Sequence, residues 1–386
     1  MRNKLRAVAV LVCLILLLWI SCNISLFAEN QQRDRNRCTL PYTPESKSKG
    51  SCAVVTHIAF LKVHKAGSST VANIIQRFGI QRNLTFVVPM KPFHGLSYNY
   101  IGGARDTISR DNIMPLPPGT MYNVLWNHVV YNRSAFKNIM PAHTRYISII
   151  RYPLDQFISA FEYYGPGKNL INKFYEMEEH QSIVNAYLDN PWDFEDKDVV
   201  TSHTLNSLAY DFGFSKEMIQ NKTTRSLYLE QLAEDFMVVM VMEYFDESLV
   251  LLKRYFCWSI KDVLYLPKNK NSRKKRLTFT HKYRERHHQI AEVDYEIYTY
   301  FQSIFWRKVW QEGPTFYSEV AHFKHLNSVV ADHCLLNRTL HVDASPWSES
   351  FTVDWTCCNY INSSELDLYD VIYNSTVAQT KQYSKQ

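Results

Sequence analysis

The chain has 386 residues, of which 46% are hydrophobic, and it carries a formal net charge of +6. This length suffices for one sizeable catalytic domain with an anchor and a stem, and it also allows two small domains. The small basic excess fits an anionic ligand or an anionic membrane surface, and it equally fits an ordinary basic surface. No internal repeat or low-complexity tract is present, which excludes a repeat array.

The N-terminus combines basic side chains with a long apolar run. About 20 apolar residues span a bilayer, and flanking positive charge remains on the cytosolic side. The pattern predicts a cytosolic tail at 1–6, a transmembrane signal anchor at 7–28 and a polar luminal stem at 29–52. The alternative is a cleaved signal peptide, with small residues suitable for cleavage at 25–28.

Glycosylation sequons and cysteines also indicate a luminal domain. Of the eight cysteines, those beyond the apolar run could pair in an oxidising lumen. Their spacing with histidine is not that of a zinc site, so structural pairing is favoured over metal binding, and the connectivity stays open. A sequon at Asn23 lies within or against the anchor. The sequons that follow begin at Asn83, Asn132, Asn221, Asn337, Asn362 and Asn374.

Strands that alternate with helices indicate an α/β domain. Apolar runs predict strands at 53–61, 122–126, 146–150 and 236–242. Helices are predicted at 70–78, where Gly79 ends the helix, and at 153–164, 248–256 and 282–323, with mostly helical structure between 170 and 234. The alternation predicts a parallel central sheet flanked by helices over residues 53–325. An irregular segment that contains cysteines is expected at 326–386.

The segment between the first strand and the first helix suits a phosphate. Gly67 lets the backbone approach an oxyanion, and the helix N-terminus favours negative charge. Lys65 supplies a point charge, and hydroxyl donors follow at Ser68, Ser69 and Thr70. The alternative is an ordinary helix start capped by Ser68 or Ser69. A nucleoside-triphosphatase loop does not fit, because its lysine follows the second glycine whereas Lys65 precedes Gly67.

A second anion site is predicted after the strand at 146–150. Arg151 lies at the strand end, where its guanidinium can bind a phosphate through two hydrogen bonds. Pro153 starts the next helix, and Ser159 lies about two turns along it on a nearby face. The alternative is a proline-started helix beside a solvated arginine.

His128 follows the predicted strand at 122–126. Ligands collect at the strand ends of a parallel sheet, and a hydroxyl that reacts as a nucleophile needs a general base at neutral pH. Histidine is suited to that role, so His128 is the candidate base. The alternative is a hydrogen-bonded structural histidine. His64, in the phosphate loop, is the second candidate, and its other interpretations are to orient the acceptor or to brace the loop.

Two charged clusters have simpler interpretations. The acidic residues Glu243, Asp246 and Glu247 could suggest a metal or glycosidase site, but capping and positioning of the helix near Ser248 is favoured. The basic run at 268–276 is by default a solvated loop.

The two phosphate motifs resemble those of PAPS (3′-phosphoadenylyl sulfate)-dependent sulfotransferases, and more closely those of the galactose-3-O-sulfotransferase family, which includes galactosylceramide sulfotransferase. That family's 5′-phosphosulfate loop reads close to Leu-Lys-Thr-His-Lys-Thr-Ala-Ser-Ser-Thr. The chain is similar to it over residues 61–70 and keeps Lys65, Ser68, Ser69 and Thr70. The departures from the family's loop are Val63, Ala66 and Gly67.

Residues 149–159 resemble the 3′-phosphate signature Arg-x-Pro-x-x-x-x-Ser, with Arg151 and Ser159 in the phosphate-binding positions. Tyr152 stands where most relatives carry Asp, a position that is not the phosphate contact. The family has an Asn-His pair similar to the one that ends at His128.

The resemblance implies a sulfotransferase fold with a P-loop-like phosphate-binding loop, PAPS as the donor and no metal. In such enzymes a late basic loop often closes over the donor. The resemblance therefore adds Arg273 and Lys274, from the basic run at 268–276, to the residues implied to bind the donor. The residues implied to bind PAPS are Lys65, Ala66, Gly67, Ser68, Ser69, Thr70, Arg151, Ser159, Arg273 and Lys274. Those implied to be catalytic are His128, Lys65 and His64, with Lys65 stabilising charge on the leaving phosphate oxygen.

The implied activity is transfer of a sulfuryl group to a sugar hydroxyl, namely the 3-hydroxyl of β-galactose on a glycolipid or glycan of the galactosylceramide type. The alternatives are a uronyl 2-O-sulfotransferase acting on glycosaminoglycans and a catalytically inactive luminal glycan-binding protein. The implied location is the Golgi membrane, as a single-pass type II protein with a luminal catalytic domain. Nucleic acid is not an expected partner, and homo-oligomerisation is left open.

Overall fold

The structure of the protein is a computed structural model. It describes the last residue of the predicted stem and most of the globular chain. The predicted tail, the anchor, residues 29–51 of the stem, and Arg273 and Lys274 lie outside the described residues. Contacts group residues 53–386 into one compact unit. None of the described helices has the length and apolar character needed to cross a membrane. The described residues are 52–90, 99–102, 106–164, 180–195, 202–266, 278–336 and 338–383.

A four-stranded parallel sheet forms the centre of this unit, with the strand order β2-β1-β3-β4. Ile58 pairs with Val124 on one side and with Arg145 on the other, so β1 is an inner strand. The strands are β1 (Ile58–Leu61), β2 (Val124–Leu125), β3 (Arg145–Ile150) and β4 (Phe236–Val241). The predicted α/β class with a parallel central sheet is confirmed.

The strands are apolar along their length, as is typical of a parallel sheet that is covered on both faces. All four residues of β1 are buried, as are the last five of β3. β1 is shorter than the predicted 53–61, because the residues before His57 are at least partly exposed and form no ladder with a neighbouring strand. The sheet is therefore small, and its strand ends are close together.

Helices connect and flank the strands. Those before β4 are α1 (Ser68–Gln81), α2 (Arg133–Ile139), α3 (Pro153–Tyr164), α4 (His180–Asp189), α5 (Ser207–Asp211), α6 (Lys216–Gln220) and α7 (Lys222–Asp235). Those after it are α8 (Phe245–Phe256), α9 (His281–Ile290), α10 (Glu292–Gln311), α11 (Thr315–Leu335), α12 (Trp355–Asn362) and α13 (Glu365–Tyr383). Short 3-10 turns occur at Pro191–Asp193, Met242–Tyr244 and Ile260–Val263.

The prediction that Gly79 ends the first helix is wrong. Helix α1 continues to Gln81, and Arg82 closes it by donating its N–H to the carbonyl of Gly79. Gly79 serves close packing instead, because a Cβ there would lie 2.3 Å from the ring of Phe86. The glycine thus lets the following chain approach the helix.

The expectation of an irregular segment at 326–386 is also wrong for the described residues. Helix α11 runs through residue 326, a hairpin of β5 (Leu340–Val342) and β6 (Phe351–Val353) follows, and α12 and α13 complete the chain. Both final helices pack against α1. They are helical because Ile361, Leu368 and Ile372 lie on faces that the protein buries.

A disulfide ties this C-terminal part together. Cys334 on α11 and Cys358 on α12 are bonded, at a sequence separation of 24. Cys357 beside it is a buried free thiol. The sequence left the pairing open, because spacing alone does not decide connectivity.

Candidate active site

The carboxyl ends of the four parallel strands meet at one edge of the sheet. The loop 62–67 follows β1, His128 comes three residues after the end of β2, Arg151 follows β3 and Glu243 comes shortly after β4. Open parallel sheets bind ligands at this edge. The residues that the sequence placed in two separate motifs therefore lie on adjacent strands.

The loop after β1 has the backbone of an anion-binding turn. Lys65 and Gly67 have positive φ angles of 57° and 79°, and Gly67 leads directly into α1. A side chain at Gly67 would place its Cβ 2.3 Å from Sδ of Met242, the residue that follows β4. Such turns at a helix N-terminus present backbone N–H groups to an anion, so the loop suits a phosphate.

Neither serine caps the helix, contrary to the ordinary-helix interpretation. Gly67 is the cap residue and forms no side-chain cap bond. Ser68 Oγ donates to the carbonyl of Val63 at 2.6 Å, which closes the loop on itself. Ser69 Oγ donates to Oε2 of Glu365 at 3.1 Å. The side chains of Thr70 and Ala66 are buried.

Arg151 contacts the first loop directly. Its Nη1 donates to the carbonyl of Lys65 at 3.2 Å, and Gln156 Nε2 on α3 donates to the carbonyl of His64 at 2.7 Å. The second motif thus supports the first, and the guanidinium of Arg151 lies against the loop that carries Lys65. Ser159 is partly exposed two turns along α3, and its hydroxyl makes no hydrogen bond to the described residues.

Lys65 lies among aromatic rings. Its Nζ is 3.7 Å from the ring centre of Tyr163 and 6.0 Å from that of Tyr164. Burial and the nearby Arg151 lower the pKa of the ammonium, while Glu162 acts in the opposite direction. The rings attract the cation and hold it beside the loop.

His128 is oriented by the first residue of the loop. Its Nδ1 lies 2.8 Å from the carbonyl of Lys62, so Nδ1 carries the hydrogen and Nε2 is the basic nitrogen. Only 9% of the residue is exposed. Burial, followed by the charges of Lys62 and His64, holds its pKa well below the usual range. The imidazole is therefore neutral at neutral pH and can accept a proton.

His64 lies flat against His128, with ring centres 4.1 Å apart. Its Nδ1 is 2.8 Å from Oδ1 of Asp211, and its backbone N–H donates to Oδ2 of the same carboxylate at 2.8 Å. Its Nε2 is 3.1 Å from the hydroxyl of Tyr100. Asp211 ends α5 and is buried, so it fixes the tautomer and the orientation of His64.

Further rings extend this stack beyond the two histidines. Tyr100 stacks on His128 with centres 4.9 Å apart, and His203 lies 5.1 Å from His64 and stacks on Tyr164 at 3.9 Å. The result is a wall of flat faces with polar edges beside the candidate base. Such a surface suits an acceptor that has both apolar and hydroxyl groups.

The acidic residues after β4 hold protein groups. Glu243 Oε1 accepts the backbone N–H of Tyr152 at 2.7 Å, and Asp246 Oδ1 accepts the hydroxyl of Tyr265 at 2.9 Å. The first of these bonds positions the start of α3. Among the described residues, no three His, Cys, Asp or Glu side chains are grouped so that they could hold a metal ion.

Sequence reasoning missed Lys62, Asp211 and Glu365. Lys62 Nζ lies 2.6 Å from Oε1 of Glu365, and the lysine is almost fully buried. Asp211 contacts His64 from 147 residues away. No local pattern marks either carboxylate, because each acquires its partner only in the folded chain.

These features define a class of protein. A parallel sheet presents an anion-binding loop, an arginine on the adjacent strand and a neutral histidine at one edge, which is the arrangement of a transferase with an anionic donor. A family model described as Galactose-3-O-sulfotransferase matches residues 1–359, and the chain belongs to this family. The predicted family is thus confirmed.

Curated relatives agree with this assignment. The chain is 29% identical over 295 residues to galactosylceramide sulfotransferase of Homo sapiens, covering 75% of this chain and 66% of that protein. It is 28% identical over 316 residues to galactose-3-O-sulfotransferase 2 of Sus scrofa, covering 81% and 76%. It is 32% identical over 263 residues to galactose-3-O-sulfotransferase 3 of Homo sapiens, covering 66% and 58%. The aligned part of the chain thus spans about two thirds of the length of these relatives.

Proposed function

We propose that this protein transfers a sulfuryl group from PAPS to the 3-hydroxyl of a β-galactose on a glycolipid or glycan. The observation that carries the proposal is the contact of Arg151 with the backbone of Lys65, beside a neutral His128. Relatives named galactosylceramide sulfotransferase and galactose-3-O-sulfotransferase support the acceptor.

The described residues fit the donor. The left-handed Gly67 and the loop that enters α1 suit the 5′-phosphate end, with Lys65 as the cation. Arg151 would hold the 3′-phosphate, and Ser159 would reach the same group along α3. When bound, PAPS supplies an activated sulfuryl group whose leaving group is a phosphate.

The chain's own residues would then handle one proton and one developing charge. Transfer would form a bond between the acceptor oxygen and sulfur and would break the bond between sulfur and the leaving phosphate oxygen. Nε2 of His128 takes the proton of the hydroxyl, and Lys65 stabilises the negative charge that develops on the leaving phosphate. Asp211 and Tyr100 hold His64 against the base, so His64 positions it or the acceptor.

An acceptor panel with labelled PAPS tests this function. Galactosylceramide and lactose-type glycans should be sulfated, and desulfated heparan should not. Lys65→Ala and His128→Ala should each remove most turnover while the protein stays folded. Preferential labelling of heparan would favour the uronyl 2-O-sulfotransferase instead. Labelling of no acceptor, together with no binding of adenosine 3′,5′-bisphosphate (PAP), would favour an inactive binding protein.

We also propose that the protein is a type II protein of the Golgi membrane. The basic N-terminus with its apolar run and the sequons support this location. The disulfide between Cys334 and Cys358 adds support, because such bonds persist in oxidising compartments. Sensitivity to N-glycosidase, and protection of the C-terminal part from protease in sealed vesicles, are the expected results. Full digestion in sealed vesicles would contradict the proposal.

A further inference from the structure

The C-terminal helix α13 places a carboxylate against the donor loop. Oε1 of Glu365 lies 2.6 Å from Nζ of Lys62, and Oε2 accepts the hydroxyl of Ser69 at 3.1 Å. The backbone carbonyl of Glu365 also accepts Nε2 of Gln76 at 3.3 Å. The family match ends at residue 359, so family membership assigns no role to Glu365.

The partner of Glu365 is a buried cation at the start of the loop. Lys62 is 1% exposed and Glu365 is 12% exposed. A buried charge needs an opposite charge beside it, so the carboxylate fixes where Lys62 lies. The carbonyl of Lys62 is also the acceptor that orients His128. Glu365 therefore acts on Lys62, which begins the loop and whose carbonyl orients the candidate base.

The position of Glu365 is itself fixed. Nδ2 of Asn73 on α1 donates to the carbonyls of Tyr360 at 3.2 Å and Ser363 at 3.0 Å, which ties the turn between α12 and α13 to α1. The hydroxyl of Ser69, in the first turn of α1, is oriented by the same carboxylate. Helix α13 thus acts as a support behind the loop.

We propose that Glu365 is a positioning residue for the donor: through Lys62 and Ser69 it holds the phosphate-binding loop in shape, which makes α13 a part of the donor site. The proposal rests on PAPS being the donor. It does not require Glu365 to touch PAPS.

Binding of PAP, measured by calorimetry on the luminal protein, tests this role. Glu365→Ala should weaken binding about 10–100-fold, as is typical when a group that supports a ligand-binding residue is removed. Glu365→Gln should have a smaller effect, because its amide oxygen can still accept the hydroxyl of Ser69. The matched control is Asp370→Asn, which removes a negative charge from an exposed position on the same helix and should leave binding unchanged.

A second variant guards against misfolding. Glu365→Ala leaves Lys62 as an unpaired buried charge, whereas Lys62→Met combined with Glu365→Leu removes both charges and keeps the volume. This double variant should melt near the wild-type temperature and still show a raised KM for PAPS, with the KM for the acceptor unchanged. If the contact were purely structural, the KM for PAPS and the KM for the acceptor would change together.

The outcomes separate this role from the proposed function. If the wild-type protein binds no PAP, the proposed donor is wrong and the role of Glu365 fails with it. If the wild-type protein binds PAP and a folded variant binds it equally well, only the role of Glu365 is overturned. Tighter binding by Glu365→Ala would also overturn it, since the carboxylate would then compete with the donor.

Discussion

His128 and His64 differ in the group that holds Nδ1. A neutral carbonyl holds His128, whereas the carboxylate of Asp211 holds His64. A base that must accept a proton from a weakly acidic hydroxyl has to be neutral before the reaction. Burial and the charge of Lys62 keep His128 in that form. His128 is therefore the better candidate base, and His64 is the better candidate for a supporting role.

The pH dependence of kcat/KM follows from the lowered pKa of His128. A neutral base is lost only as the pH falls through its pKa, which lies well below 6.5 here. The rate should therefore stay constant through pH 6.5 and fall only under more acidic conditions. His128→Ala should lower kcat about 10²–10⁴-fold, and the exposed His281→Ala should not. A rate that halves near pH 6.5, or near-normal turnover by His128→Ala, would assign the base elsewhere.

Asp211 should contribute to both stability and turnover, although no sequence pattern marks it. Its two oxygens accept the backbone and ring N–H groups of His64, and an asparagine can accept only one of them in the same place. Asp211→Asn should therefore destabilise the fold by about 1–3 kcal/mol and lower kcat at least about tenfold. Urea unfolding and steady-state kinetics measure these effects. Unchanged kcat in a folded variant would show that the orientation of His64 is irrelevant to turnover.

The elements near the sheet were predictable because their signals are local. The strand at 146–150 and the helix from Pro153 to Tyr164 were predicted within one residue, since apolar runs and a starting proline mark them directly. The final helices were not, because their apolar positions are sparse and α1 supplies the surface that orders them. The same holds for the site: Arg151 follows a strand, but Glu365 reaches Ser69 across 296 residues.

The disulfide between α11 and α12 should stabilise the C-terminal elements. It links residues at a sequence separation of 24, and a crosslink over such a loop typically contributes about 2–4 kcal/mol. Cys334→Ser with Cys358→Ser should lower the free energy of unfolding by that amount in urea and raise the KM for PAPS, since α12 leads into α13. Cys357→Ala, at the neighbouring free thiol, should keep the wild-type KM for PAPS. An unchanged KM for PAPS in the folded double variant would show that α12 does not support the donor site.

At the scale of the whole molecule, one sheet edge gathers groups that are far apart in sequence. The loop 62–67, His128 and Arg151 follow three adjacent strands, and helices α3, α5 and α13 supply Gln156, Asp211 and Glu365 from behind. The guanidinium of Arg151 contacts the loop directly through the carbonyl of Lys65. We therefore expect one donor to bridge both groups.

A comparison of PAP with AMP, which lacks the 3′-phosphate, tests whether a single ligand bridges the two anion sites. The wild-type protein should melt at a higher temperature with PAP than with AMP, because PAP can bind both anion sites and therefore binds more tightly. A ligand that binds only the folded state stabilises it by about 2.7 kcal/mol at 100 times its Kd. Arg151→Ala should bring the two ligands to the same shift, since Arg151 is the residue proposed to hold the 3′-phosphate. Lys65→Ala should weaken both ligands together, since it acts on the 5′ end that they share. If Arg151→Ala weakened PAP and AMP equally, the guanidinium would only brace the loop through the carbonyl of Lys65, and the 3′-phosphate would have to be bound elsewhere.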